Sequence, residues 1–181
     1  QAIIVPVKTD DALLKYGDRI QGILTAGNVR VKSDYGDKES LGSKINRWEL
    51  KGVPLRIEIG AREMEKEVAT IVRRDTQEKI VVSLNDLAAQ TQDLLASIQK
   101  NLYERALKYL EENTRSVDTY DEFKDVLAAK RGFLKAMWCE DAACEAKIKE
   151  ETKATTRCLP LDAGEENGKC IYCRKQAKHR W

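Results

Sequence analysis

The sequence predicts an α/β unit that passes, through one long helix, into a small α+β unit braced by a metal ion. Three observations carry this reading. Strand-length apolar runs alternate with helix-spaced segments over residues 2–83. Apolar residues then recur at 3.6-residue spacing from Leu87 to Leu110. Last, four cysteines fall in two close pairs, Cys139 with Cys144 (C-x4-C) and Cys170 with Cys173 (C-x2-C), separated by residues 145–169. Each pair can offer two thiolates from one turn, which is how a chain wraps a tetrahedral ion.

Residues 2–7 form an apolar run stopped by Pro6 and Lys8, a buried strand. Thr9 and Asp10 can cap the helix that follows, in which Leu13, Leu14, Ile20, Ile23 and Leu24 recur at helical spacing before Gly27 and Asn28. Residues 30–35 alternate as a strand, and residues 40–50 read as a helix ended by Gly52 and Pro54. Residues 55–59 place Leu55, Ile57 and Ile59 on one face and Arg56 and Glu58 on the other. Residues 69–73 and 79–83 are two strands joined by a turn. A helix then reaches Glu112, and at about 1.5 Å per residue it spans roughly 40 Å. Thr119 and Glu122 make a capping box for a helix to about Lys130. Residues 133–138 read as a strand, 141–151 as a helix carrying Cys144, 157–161 as a short strand, and 163–169 as a polar loop. The expected division is 1–84, a connecting helix over 85–112, and 113–181.

Composition narrows the function. The chain has 181 residues, a formal charge of +2 and 34% charged residues. No strong excess of either sign marks residues 1–113, so composition alone gives no nucleic-acid footprint. Lys169, Arg174, Lys175, Lys178 and Arg180 form a run without acidic neighbours, read as a solvated tail. No stretch approaches the roughly 20 apolar residues of a membrane span. The start lacks a signal peptide, so five cysteines point to a reducing, cytoplasmic setting where thiolates bind metal more often than they pair. The abrupt beginning reads as a piece of a larger protein.

Cys139, Cys144, Cys170 and Cys173 are expected to hold structural Zn²⁺, with a thiol redox pair or four ordinary buried thiols as the competing readings. Cys158 is expected to be a packed thiol, and His179, the sole histidine, to be polar surface. One histidine in a basic stretch builds no nucleophile–base pair. Neither phosphate-cradling glycine motif occurs. Glu63, Glu65 and Glu67 look like a solvated segment. Residues 47–60 gather Trp48, Glu49 and Arg56, with Arg62 just beyond, at one helix–strand corner. A carboxylate, a guanidinium and an aromatic together can read unstacked bases of an RNA loop. They can equally form a surface ion-pair network.

WELKGVPLRIEIGAR followed by VRRDTQEK resembles the anticodon-binding domain of the archaeal and eukaryotic type of prolyl-tRNA synthetase. WCEDAACEAKIKEETKATTRCLP and KCIYCRK resemble that family's C-terminal zinc-binding domain. The resemblance covers nearly the whole chain. It implies a mixed five-stranded sheet with flanking helices in a ligase that joins L-proline to tRNA(Pro) with ATP and Mg²⁺ as a homodimer. It also implies that Glu49, Arg56, Arg62 and Lys79 contact the anticodon, with Trp48 as support or stacking partner. The family's Gly-Pro-Arg-Asp reads Gly60, Ala61, Arg62 and Glu63 here. Its catalytic domain is not expected within this chain, which should then be inactive alone. The alternative is a free-standing, zinc-stabilised RNA- or protein-interaction module.

Overall fold

The computed structural model describes residues 1–181. The first strand, β1 (Ala2–Pro6), is buried at all five positions because it lies inside a sheet covered on both faces. That sheet has five strands in the order β2-β1-β3-β4-β5. Strands β2 (Val31–Ser33) and β3 (Leu55–Ile59) both run parallel to β1, while β4 (Val68–Arg73) and β5 (Lys79–Ser83) continue antiparallel from β3. It is the mixed five-stranded sheet that the family resemblance implied. The step from β1 to β2 goes one way along the sheet, and the step from β2 to β3 goes back past β1. Right-handed crossovers therefore put the two intervening helices on opposite faces.

Helix α1 (Asp11–Ala26) is capped by Asp10, whose carboxylate accepts the Leu13 N–H at 2.9 Å. Its buried side chains Leu13, Tyr16, Ile20 and Leu24 recur at helical spacing. Tyr16, Ile20 and Leu24 pack with Ala2, Ile4, Leu55, Ile57, Ile59 and Ile71, and with Leu87, Leu94 and Ile98 of α4 (Leu87–Glu112), to make the main core. Helix α2 (Leu41–Leu50) covers the other face, over Ile3 and Val72. Helix α3 (Ala61–Glu65) is a short turn of helix where the sequence suggested only a solvated segment.

Contacts divide the chain into two units, Gln1–Arg105 and Ala106–Trp181, with the division inside α4. In the second unit, β6 (Thr114–Ser116) and β7 (Phe133–Lys135) pair in parallel around α5 (Tyr120–Ala129). Thr119 accepts the Glu122 N–H at 3.2 Å, and the Glu122 carboxylate reaches back to the Asp118 N–H, closing the expected box one residue early. Strand β8 (Met137–Trp138), α6 (Ala142–Thr152), β9 (Gly168–Lys169), β10 (Gln176–Ala177) and β11 (His179–Arg180) complete the unit. Its core centres on Val117, Phe123, Ala136 and Ile171. A core this small gains from a covalent or metal brace.

Four expectations for this unit need correction. Residues 133–138 form two strands, because β7 joins β6 whereas β8 pairs with β11. Residues 157–161 form no strand, and Cys158 is exposed rather than packed, with no neighbouring strand to shelter it. The basic run is not a loose tail: its segment contains β10 and β11, and Arg180 binds Asp118 at 2.6 Å and Glu166 at 2.9 Å, while Lys169, Arg174, Lys175 and Lys178 stay exposed as expected. Its acidic partners come from distant segments, so local composition could not show them. His179 belongs to β11, opposite Trp138. No helix is long and apolar enough to cross a membrane.

At the end of β4 the Arg73 guanidinium grips Asp75 through two bonds, of 3.1 and 2.9 Å, and also donates to Ser97 Oγ. Asn101 donates to the same carboxylate. The Arg73 bonds, helped by Asn101 and opposed by burial, hold the Asp75 pKa down to about 2, against an ordinary 3.8. The folded value is depressed, so this stabilisation is fully present above about pH 4 and is lost as pH falls towards 2. Asp75→Ala should cost about 3 kcal/mol at neutral pH, because it strands a buried guanidinium. Chemical denaturation from pH 7 to 2 should show the variant's stability falling less steeply with acid than that of the parent.

Candidate nucleic-acid interface and metal centre

Helix α2 and strand β3 meet at a tight corner. Gly52 sits at φ 75°, where a side chain would be strained. Its N–H donates to Glu49 O and the next N–H, of Val53, to Trp48 O, the two bonds of a Schellman C-cap. This turn ends α2 one helical step from β3 and sets Glu49 beside Arg56. Arg56 Nη1 lies 3.0 Å from Glu49 Oε1, and its Nε lies 3.0 Å from Glu58 Oε1. Lys79 of β5 binds the other oxygen of Glu58 at 2.9 Å. The register puts Arg56 opposite Val72 and Val72 opposite Lys79, so all three share one sheet face. Burial pushes the Glu58 carboxyl up, but the Lys79 and Arg56 hydrogen bonds outweigh it and leave its pKa below the ordinary value.

Glu49, Arg56 and Lys79 thus form one chain of charges linked by Glu58, a residue that sequence reasoning left unassigned. Its signal was its place two residues after Arg56 on the same strand face. Arg62 stands apart: it is exposed on α3, beyond the other end of β3, and makes no ion pair with the rest. Trp48 is tied down by its own neighbours. Its indole N–H donates to Asp34 Oδ2 at 2.6 Å, and Lys51 Nζ lies 4.5 Å from the ring centroid, with the Arg47 guanidinium at 5.4 Å. These contacts hold the ring in place at the end of α2. Burial raises the Asp34 carboxyl pKa, but the Trp48 bond and Arg47 bring it below the usual range.

In the second unit the ligand atoms of Cys139, Cys144, Cys170 and Cys173 all lie within 4.8 Å of one another. Sulfurs at about 2.3 Å from a zinc ion form a tetrahedron with edges of about 3.8 Å. The Cys139 to Cys144 and Cys139 to Cys173 separations of 3.7 and 3.6 Å fit that geometry. The two turns are alike. Glu140, after Cys139, has φ 61°, and Arg174, after Cys173, has φ 62°. In each turn the next backbone N–H, of Asp141 or Lys175, donates to the cysteine sulfur. Burial raises the Cys139 and Cys144 thiols. The Lys175 N–H brings Cys173 down to about 7. Four sulfurs, two of them with amide donors, suit a soft divalent ion and leave no coordination position for a substrate.

Residues 1–94 match the family model described as Anticodon binding domain, and residues 120–181 match Prolyl-tRNA synthetase, C-terminal. The chain belongs to the anticodon-binding-domain family, in the form found in the C-terminal region of prolyl-tRNA synthetases. It is 45% identical over 178 residues to proline–tRNA ligase 2 of Clostridioides difficile and 44% identical over 179 residues to the proline–tRNA ligase of Lachnospira eligens. Each match takes in 98% of this chain, and the chain spans 37% of each relative's length. Among solved structures, prolyl-tRNA synthetase from Cryptosporidium parvum, complexed with L-proline and AMP, superposes with a TM-score of 0.86 at 35% identity. That match covers 99% of this chain and 40% of the other.

The left-handed residue after Cys173 gives a direct test of the turn. Arg174→Gly should raise the stability of the metal-loaded chain by about 0.5–1 kcal/mol, since glycine adopts this φ without strain. Arg174→Val should lower it. Denaturant midpoints of the three proteins check the order.

Proposed function

We propose that this chain is the tRNA-recognition region of a proline–tRNA ligase, and that the α2–β3 corner reads the anticodon of tRNA(Pro). The observation that supports it best is the charge chain through Glu49, Arg56, Glu58 and Lys79 at the edge of the family's anticodon-binding fold. Two carboxylates fix the Arg56 guanidinium in one orientation before RNA arrives. Guanine offers O6 and N7 to a guanidinium on its Hoogsteen edge, and on its Watson–Crick edge it offers O6 to a guanidinium and its N1–H and N2–H groups to a carboxylate. An ion pair of Glu49 with Arg56 is therefore a pre-formed complement to the Watson–Crick edge. Lys79 adds positive charge beside the corner, and Trp48 holds the end of α2 in place. Arg62, on its separate exposed helix, is suited to a more distant part of the RNA loop.

The cysteine centre has a structural role in this reading. Zn²⁺ held by Cys139, Cys144, Cys170 and Cys173 ties the start of α6 to the segment between β9 and β10, and binding free energy becomes folding free energy. ATP with Mg²⁺, L-proline, the homodimer and the cytoplasmic setting belong to the whole ligase, of which the present region supplies recognition.

Arg56→Ala should cost about 1–3 kcal/mol in binding a proline anticodon stem-loop, and should erase most of the preference over a loop with one guanine replaced. Fluorescence anisotropy with the two loops measures both; equal affinity of the parent for them would sink the reading. For the metal, Cys170→Ser should abolish stoichiometric zinc. It should also lower the melting temperature of the second unit while leaving loop discrimination unchanged. Elemental analysis and calorimetry read these two outcomes.

A further inference from the structure

Arg73 and Arg74 are neighbours in sequence with opposite environments. Arg73 turns to the core face, where Asp75 and Ser97 take its donors. Arg74, the first residue of the turn after β4, lies instead on the side that carries Val72 and Arg56. Its backbone N–H donates to Pro54 O at 3.0 Å, which pins Arg74 beside the turn that ends α2. There it lines the same small cavity as Trp48, Glu49 and Arg56. Arg74 is exposed and its guanidinium has no carboxylate or hydrogen-bond partner, whereas Arg56 and Arg47 are each held by two carboxylates. A fork of donors that is anchored at its backbone, next to a base-reading pair, and unspent is suited to an external oxyanion.

We propose that Arg74 binds a backbone phosphate of the RNA loop whose bases face Glu49 and Arg56. The inference rests on the anticodon-reading function proposed above and adds the residue that would fix the loop's register on that corner. A phosphate contact carries no base preference, and it releases a counterion on binding. Its removal therefore has a different signature from that of Arg56.

The test is a salt titration of anticodon stem-loop binding to the parent chain, Arg74→Ala, Arg74→Lys and Arg56→Ala. For a single-stranded loop, losing one phosphate contact should lower the slope of log K against log salt by about 0.7, and affinity at 0.1 M salt by about fivefold. The loss should be equal for the proline loop and for a loop with one guanine replaced. Arg74→Lys should keep the slope, and Arg56→Ala should instead lose discrimination. Unchanged affinity and slope in Arg74→Ala, in a parent that does discriminate, would overturn the proposal. So would a loss confined to the proline loop, since Arg74 would then be reading a base. A parent that fails to discriminate overturns the anticodon reading itself, which separates the two failures.

Discussion

Burial of Leu55, Ile57 and Ile59 in the main core is the constraint on which the charged α2–β3 corner depends. These three side chains lock the register of β3, because a slip of one residue would drive a guanidinium and a carboxylate into an apolar interior. With the register fixed, Arg56 and Glu58 have only the α2 face to occupy. There they are half-buried, and Arg56 keeps only about a tenth of its side chain exposed. A cation so far withdrawn from water needs carboxylates within reach, and Glu49 and Glu58 supply them. The charge chain is thus a consequence of core packing on the opposite side of the same strand.

The second unit solves a different problem. Short two- and three-residue strands and a core of a few side chains cannot hold residues 106–181 firmly by burial alone. The sulfur cluster joins the start of α6 to the segment before β10, two points more than twenty residues apart in sequence. Amide donors to two of the sulfurs lower the cost of keeping thiolates in a half-buried site. The left-handed backbone at Glu140 and Arg174 is what turns those amides towards the sulfur.

The sequence made the local rules legible. Alternation in residues 55–59, the caps at Asp10 and Thr119, and the cysteine spacing each specified an element that the structure contains. Glu49 and Arg56 were visible because an aromatic, an acid and a base crowd one helix–strand corner. What stayed hidden depends on contacts between distant segments. Arg180 finds Asp118 and Glu166 across long sequence separations. Glu58 earns its place only once β5 brings Lys79 alongside. The break at Ala136 follows from two different strand partners, a fact of topology that no local pattern encodes.

The near-cancellation of charge at the corner shapes which molecules can stay there. Arg56 and Lys79 face Glu49 and Glu58, so the two positive and two negative charges of the linked cluster balance, in keeping with a chain whose formal charge is only +2. A polyanion arriving without suitable hydrogen-bond donors meets two acids that repel it as strongly as the bases attract it. Under the proposed function, residence at such a surface is decided by whether a nucleobase can take over the bonds that the acids already make, and electrostatic stickiness is traded for selectivity at the moment of contact.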